Sequence, residues 1–250
     1  MKKILFPILF PLASIFMLSC GSEKEIKEIN AVCIWDRVSL YDAPNDKAKW
    51  LTAVNLGERV IYLNESATDS TSSKQSEYLK IKLLDGKTGW SRTDFIILDA
   101  KPAVFVVDAN YYNRPDIMTK SNNAFSQMDI VAVKGEQDGW VEIKGKRNNG
   151  TWIETGWVKP ENLSFAEADL AVAKFAQAAL KLKDNDQKKE ALNEILSNND
   201  FSQSVFIRSL EQAFSELEPE FVEEEVEYEE TDLEEIVQAD SLETLNETAE

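Results

Sequence analysis

Histidine is absent from the 250 residues of this chain, and cysteine occurs only twice, at Cys20 and Cys33. Without an imidazole the commonest general base is missing. With it go the Ser-His and Cys-His nucleophile pairs and nearly every zinc site. Cys33 lies in the apolar run Ala31-Val32-Cys33-Ile34, the setting of a small buried strand residue rather than a reactive thiol. Basic side chains are also scarce: 27 Lys and Arg face 45 Asp and Glu, a formal net charge of −18. The deficit is local. Residues 218–250 hold fifteen acids and no Lys or Arg, whereas residues 31–163 carry 17 basic and 18 acidic side chains. No basic surface large enough to neutralise a run of phosphates is visible, which excludes nucleic acid as a partner. The acids do not fall into the D-x-[DN]-x-[DN]-G calcium loop, so neither metal nor cofactor is expected. The tail 218–250, self-repelling and poor in aromatics, is expected to be disordered.

Long apolar runs are missing apart from one, Ile4 to Leu18, which contains Pro7 and Pro11 and is shorter than the ~18 residues a spanning helix needs. Lys2 and Lys3 precede it and Ser19-Cys20-Gly21 end it, the order of a secretory signal. A cysteine just after the cut resembles the lipobox of bacterial lipoproteins, in a relaxed form with Met17 and Leu18 before Ser19. That resemblance implies that Cys20 becomes the lipidated first residue. It also implies that the membrane is a partner through this lipid, and that Ser22 favours the outer membrane, on its periplasmic face or at the cell surface.

What the chain does have is a repeat. One stretch runs from Val38-Ser39-Leu40-Tyr41-Asp42-Ala43-Pro44 to Gly89-Trp90, a second from Ala109-Asn110-Tyr111-Tyr112-Asn113-Arg114-Pro115 to Gly156-Trp157. Proline and tryptophan are 46 and 42 residues apart, a length that suits a small all-β module. Each stretch closes on an alternating strand, Tyr78 to Lys82 and Trp140 to Lys144. The turns expected after them, Asp85-Gly86 and Asn149-Gly150, are pairs that tolerate the positive φ of a type I′ hairpin. The returning strands would carry Gly89-Trp90 and Trp152 to Trp157.

The openings with proline, Leu56-Gly57-Glu58-Arg59-Val60, Gly139-Trp140-Val141-Glu142-Ile143 and the Gly-Trp endings resemble the bacterial SH3 domain, SH3b, across residues 31–163. Tyr78 stands where that family has Trp, and Met128 where it has a strand-leading Gly. The resemblance implies two tandem SH3-like small barrels, mainly β, that bind a ligand and carry no chemistry of their own. Family members that add a Cys-His peptidase have no counterpart here, for want of histidine.

The organisation expected is a signal peptide 1–19, a tether 20–30, one SH3b-like domain at 31–99 and a second at 103–163. A helical segment at 164–217 and the acidic tail 218–250 follow. The brief junction Asp99-Ala100-Lys101-Pro102 suggests barrels that touch. Ser66 to Ser76 and Thr119 to Ser126 read as long loops. Ser164 followed by Glu167 has the form of a capping box, and apolar stripes give three helices that pack on one another or on the second barrel. Residues 31–163 are expected to fold without them. All six tryptophans and five of six tyrosines lie between residues 35 and 157, a concentration that suits either core or contact surface. Tyr41, Tyr111, Tyr112 and Trp140 are the ligand-binding candidates, Trp90 and Trp157 the structural core candidates.

Three function classes follow. The first is a non-catalytic, lipid-anchored binding module of the cell envelope, engaging peptidoglycan, a peptide or an envelope protein. The second is a surface-exposed lipoprotein contacting host molecules. The third is a carboxylate-dependent cell-wall hydrolase, disfavoured because the acids gather in the tail and barrels of this size offer no large cleft. Cys20→Ala should release the protein from the detergent phase in phase partitioning, because stable anchoring needs more than one acyl chain and this residue would carry all of them. Unchanged partitioning would remove the lipid from the account.

Overall fold

The computed structural model describes residues 28–71, 75–148 and 150–217. The signal run with Cys20, most of the tether, Asn149 and the acidic tail lie outside the described residues. The fold is mainly β. Seven strands form one antiparallel sheet: β1 (Ile29–Cys33), β2 (Val38–Tyr41), β3 (Trp50–Val54), β4 (Arg59–Thr68), β5 (Glu77–Leu83), β6 (Thr88–Arg92) and β7 (Ile96–Leu98). Seven more form a second: β8 (Lys101–Phe105), β9 (Ala109–Tyr112), β10 (Lys120–Phe125), β11 (Ile130–Gln137), β12 (Trp140–Lys146), β13 (Ile153–Val158) and β14 (Leu163–Ser164). The strand orders are β3-β2-β6-β5-β4-β1-β7 and β10-β9-β13-β12-β11-β8-β14, the same order shifted by seven. Each copy also makes a short 3-10 turn before its last strand, Thr93–Phe95 and Pro160–Asn162. The repeat read from the sequence is therefore a repeat of topology.

Alternation explains which side each strand buries. In β5, Leu79, Ile81 and Leu83 enter the first core while Lys80 and Lys82 face outward. In β12, Val141 and Ile143 do the same in the second copy. The Gly-Trp endings have a packing cause. A Cβ on Gly89 would stand 2.6 Å from the Tyr41 carbonyl oxygen, and one on Gly156 would stand 2.4 Å from the Tyr111 ring. Both glycines let a neighbouring strand cross closely over the core. Their tryptophan neighbours then face out: Trp90 and Trp157 are half-buried, not the core residues expected from their position.

The turn leading each central strand is duplicated atom for atom. Gly57 N–H donates to the Cys33 carbonyl and Cys33 N–H to that of Glu58; Met128 and Phe105 with Asp129 repeat this pair. A carboxylate closes each turn, Glu58 accepting from Asn55 N–H and Asp129 from Ser126 N–H. Gly57 has φ +76° and Met128 φ +69° at the matching place. The departure from glycine is a trade: Met128 bears left-handed strain but buries its side chain against the helices.

Three sequence expectations change. After β5, Gly86 alone takes positive φ, and its N–H donates to Leu83 O, so the connection is a three-residue turn with a glycine bulge, not type I′. The type I′ geometry occurs instead at Asp138-Gly139, φ +51° and +73°, between β11 and β12. Trp152 lies in the loop before β13 and is exposed. The segments read as loops are partly strand, since β4 continues to Thr68 and β10 occupies Lys120–Phe125.

The two copies are joined by Asp99-Ala100 alone, with Asp99 at φ +53° and its N–H donating to Asn30 O. Outward residues of the first copy, Val32, Ile34, Ile97 and Ala100, bury themselves against Ala132 of the second. Gly57 lies so near Ile130 that a Cβ there would come within 3.0 Å of it.

Helices α1 (Glu167–Leu180), α2 (Asn185–Leu196) and α3 (Ile207–Ser215) follow. Asp184 caps α2, accepting from Gln187 N–H. Ser164 does not cap α1; its hydroxyl donates to the buried Asp169, which also accepts from Val205 N–H and so ties the start of α1 to the approach to α3. Asp200 sits in a 3-10 turn, Asn199–Phe201, ahead of α3. The helices both form a bundle and dock, burying Val172, Ala176, Leu192, Phe206 and Leu210 together with Val104, Met128 and Ile130 of the second sheet. Residues 31–163 therefore leave part of their apolar surface for the helices to cover.

Gly89→Ala and Gly156→Ala should each cost about 1–3 kcal/mol of stability in urea unfolding, from forced overpacking. Gly135→Ala, with open space at its Cβ, should stay within about 0.5 kcal/mol of the parent. Equal stability of all three variants would contradict the close crossing.

Candidate functional site

The outward face of the second sheet gathers aromatic rings. Alternation sends Val141 and Ile143 inward, so Trp140 and Glu142 point the other way. Register then sets Glu142 beside Trp157, and Trp157 beside Tyr112 on the next strand. The Tyr112 and Trp140 rings meet edge to face with centroids 4.7 Å apart. Lys159 places its ammonium 3.9 Å from the Trp140 ring centre, a cation–π contact, and donates to Gly139 O. Lys159 directly precedes the Pro160–Asn162 turn, which fixes where its side chain starts.

Of the four ligand-binding candidates, the structure brings Tyr112 and Trp140 together. Trp140 is 5% exposed and serves as the platform on which Tyr112 and Lys159 rest. Tyr111 is not a surface residue: alternation turns it inward, where it is buried edge-on against Phe125. Tyr41 is half-buried and registers with Trp90 as Tyr112 does with Trp157. In the first copy the position matching Trp140 is Tyr78, which is 1% exposed. Lys80 stands 5.8 Å over Trp90 and pairs with Glu65. The edge-to-face ring pair with a cation over it thus belongs to the second copy, while the first copy exposes Trp50 beside Tyr41. Lys159 escaped the sequence reading; its only signal was a cation two residues beyond the repeated Gly-Trp.

The remaining chemistry is structural. Cys33 is fully buried, its Sγ donating to Trp35 O, and burial pushes the thiol up to about 12. Asp129 is also pushed above the ordinary carboxylate range by burial, although Ser126 and Asn148 N–H groups oppose the shift. Arg147 holds Glu154 through Nε and Nη2 to one carboxylate oxygen, and that hydrogen bond raises the guanidinium further. Among the described residues no cluster of three or more Cys, Asp or Glu is placed to hold a metal ion. None of the helices described is long and apolar enough to cross a membrane.

No family model and no curated protein matches the chain. Among solved structures it is similar to NlpC1 from Trichomonas vaginalis, at 14% identity and TM-score 0.24, over 63% of this chain and 55% of that one. NlpC2 from the same organism gives 13% identity and TM-score 0.23 over 68% and 55%. The chain thus spans about half the length of each.

Because the Cys33 thiol ionises near 9 when free but near 12 when folded, the native state holds this proton through that interval. Stability should therefore fall as pH rises above about 9, more steeply than in Cys33→Ala. A thiol reagent at pH 8 should react only after urea is added. Rapid reaction with the folded protein would contradict the burial.

Proposed function

We propose that this protein is a non-catalytic, lipid-anchored binding protein of the cell envelope built on tandem SH3-like barrels. The observation that carries the reading is the duplicated strand order, with a hairpin inserted between the first and fourth strands and a 3-10 turn before the last. The step from barrel to binding is by analogy of fold, so the ligand argument rests on the site. Tyr112, Trp157 and Lys159 form an aromatic and cationic strip on one sheet face, with Trp140 beneath. Rings of this kind supply large contact area at small entropic cost, and a cation between them selects ligands that carry a carboxylate. A peptide stem of peptidoglycan, or an acidic peptide segment of an envelope protein, has both features. Cys20 would hold the module at the membrane, on the outer membrane by the sequence pattern.

The carboxylate-hydrolase reading gains no support from the geometry. The buried Asp129 spends its oxygens on Ser126 and Asn148 N–H groups, and Glu154 is committed to Arg147.

Sedimentation with purified peptidoglycan tests the proposal. The parent protein should co-sediment, and Tyr112→Ala and Lys159→Ala should each weaken binding about tenfold, the size of one lost anchor contact. Tyr41→Ala should bind as the parent does. Binding unchanged in Tyr112→Ala would place the site elsewhere.

A further inference from the structure

Helices α1 and α2 leave a groove of about 410 Å³ between them, away from the Tyr112 face. It is lined by Phe175, Ala178 and Leu182 of the first helix and its following turn, Ala191 and Ile195 of the second, and Phe201. The spacings i, i+3, i+7 and i, i+4 put these residues on one face of each helix. Phe175 stays 50% exposed with its ring 5.8 Å from that of Phe201, so apolar surface at this junction meets water. A patch of this kind with a polar rim marks a docking place.

The rim is cationic. Lys174 and Lys181 each stand one position before a groove residue, Phe175 and Leu182, and Lys183 stands one position after Leu182. All three are exposed, and none makes an ion pair among the described residues. Glu194 is the one acid lining the groove. Ala178 borders both this groove and the neighbouring cavity that Lys174 and Lys181 line, so the apolar and cationic surfaces are continuous. A fitting occupant is apolar along one side and acidic along the others.

We propose that residues 220–237 of this same chain occupy the groove. They include ten acids and no Lys or Arg. At the helical period of about 100° per residue, Val222, Val226, Leu233, Ile236 and Val237 share about 100° of arc, and Glu229 is the one acid inside it. Alone, so acidic a segment repels itself. The groove offers an apolar surface for the arc and three cations that relieve the repulsion, the helix-in-groove mode of recognition. Two observations favour this occupant over a separate acidic protein or a second copy. Leu217, the last described residue, packs against the same cluster as Ala179 and Ile195 of the groove, so the segment leaves from the body that carries it. The five residues on to Val222 reach about 17 Å, and such a tether gives an effective concentration on the order of millimolar. A second copy would instead bring one lysine rim against another in a symmetric pair.

The test is carbodiimide cross-linking of the full chain, which joins amines to adjacent carboxylates, on an equal mixture of light and isotopically heavy protein. Mass spectrometry should find Lys174, Lys181 or Lys183 joined to acids of residues 220–237 within one chain. Leu233→Ser with Ile236→Ser should lower these cross-links at least about fivefold. Both changes lie beyond Leu217, so lost cross-linking is not lost folding of the sheets and helices. Salt near 1 M, where screening acts within about 3 Å, should lower them too. Equal cross-linking by the double variant overturns the proposal, because charge without the groove would then explain the contact. Cross-links spread evenly onto Lys101, Lys120 and Lys144 of the second sheet, or none at all, overturn it as well. Mixed light-and-heavy products in place of same-chain ones would make a second copy the partner and overturn it likewise.

Discussion

The dry contact between the outward faces of the two sheets is the constraint on which the rest depends. Val32, Ile34, Ile97 and Ala100 leave water against Ala132, and each fully buried branched side chain contributes about 1.5–3 kcal/mol relative to exposure. A junction of two residues makes such a contact almost unavoidable, because the second sheet starts where the first ends. Asp99, held in the left-handed region and hydrogen-bonded to Asn30, turns the chain so that the faces meet. Fixing that seam fixes the neighbourhood of Ile130, where Gly57 approaches from one copy and the helices from the other side.

The helices complete this arrangement rather than append to it. Two sheets of this size each bury one face and leave the other wet, so an outward row of Val104, Met128 and Ile130 requires a cover. Three short amphipathic helices supply it, and each would be marginal alone. The strain at Met128 has a purpose in this setting. Glycine would relieve the backbone but leave the helix interface short of a side chain.

Much of the architecture was legible in the residues. The Gly-Trp endings marked equivalent positions because close strand crossing excludes any side chain at Gly89 and Gly156. Period-two alternation marked β5 and β12. Other features were not legible, for physical reasons. Asp85-Gly86 and Asp138-Gly139 are the same dipeptide, yet only the second makes the type I′ turn, because loop length and register select the turn and composition only permits it. Tyr111 and Tyr112 are adjacent and identical, so composition could not say which faces the core; the strand's pairing with β10 and β13 did. Trp90 and Trp157 followed the opposite parity to the glycines beside them. At the candidate face, Lys159 gave almost no signal because its role arises from a contact with a ring nineteen positions earlier in the chain.

The same seam gives the binding reading its geometry, since it holds the sheet that carries the Tyr112 strip against the first copy. Residual dipolar couplings measured for backbone amides of residues 29–98 and 101–163 test this most directly. The account predicts that both sets fit one alignment tensor of common magnitude and orientation. Two different tensors, or couplings in one copy scaled down by averaging, would show that the copies reorient independently and would contradict it.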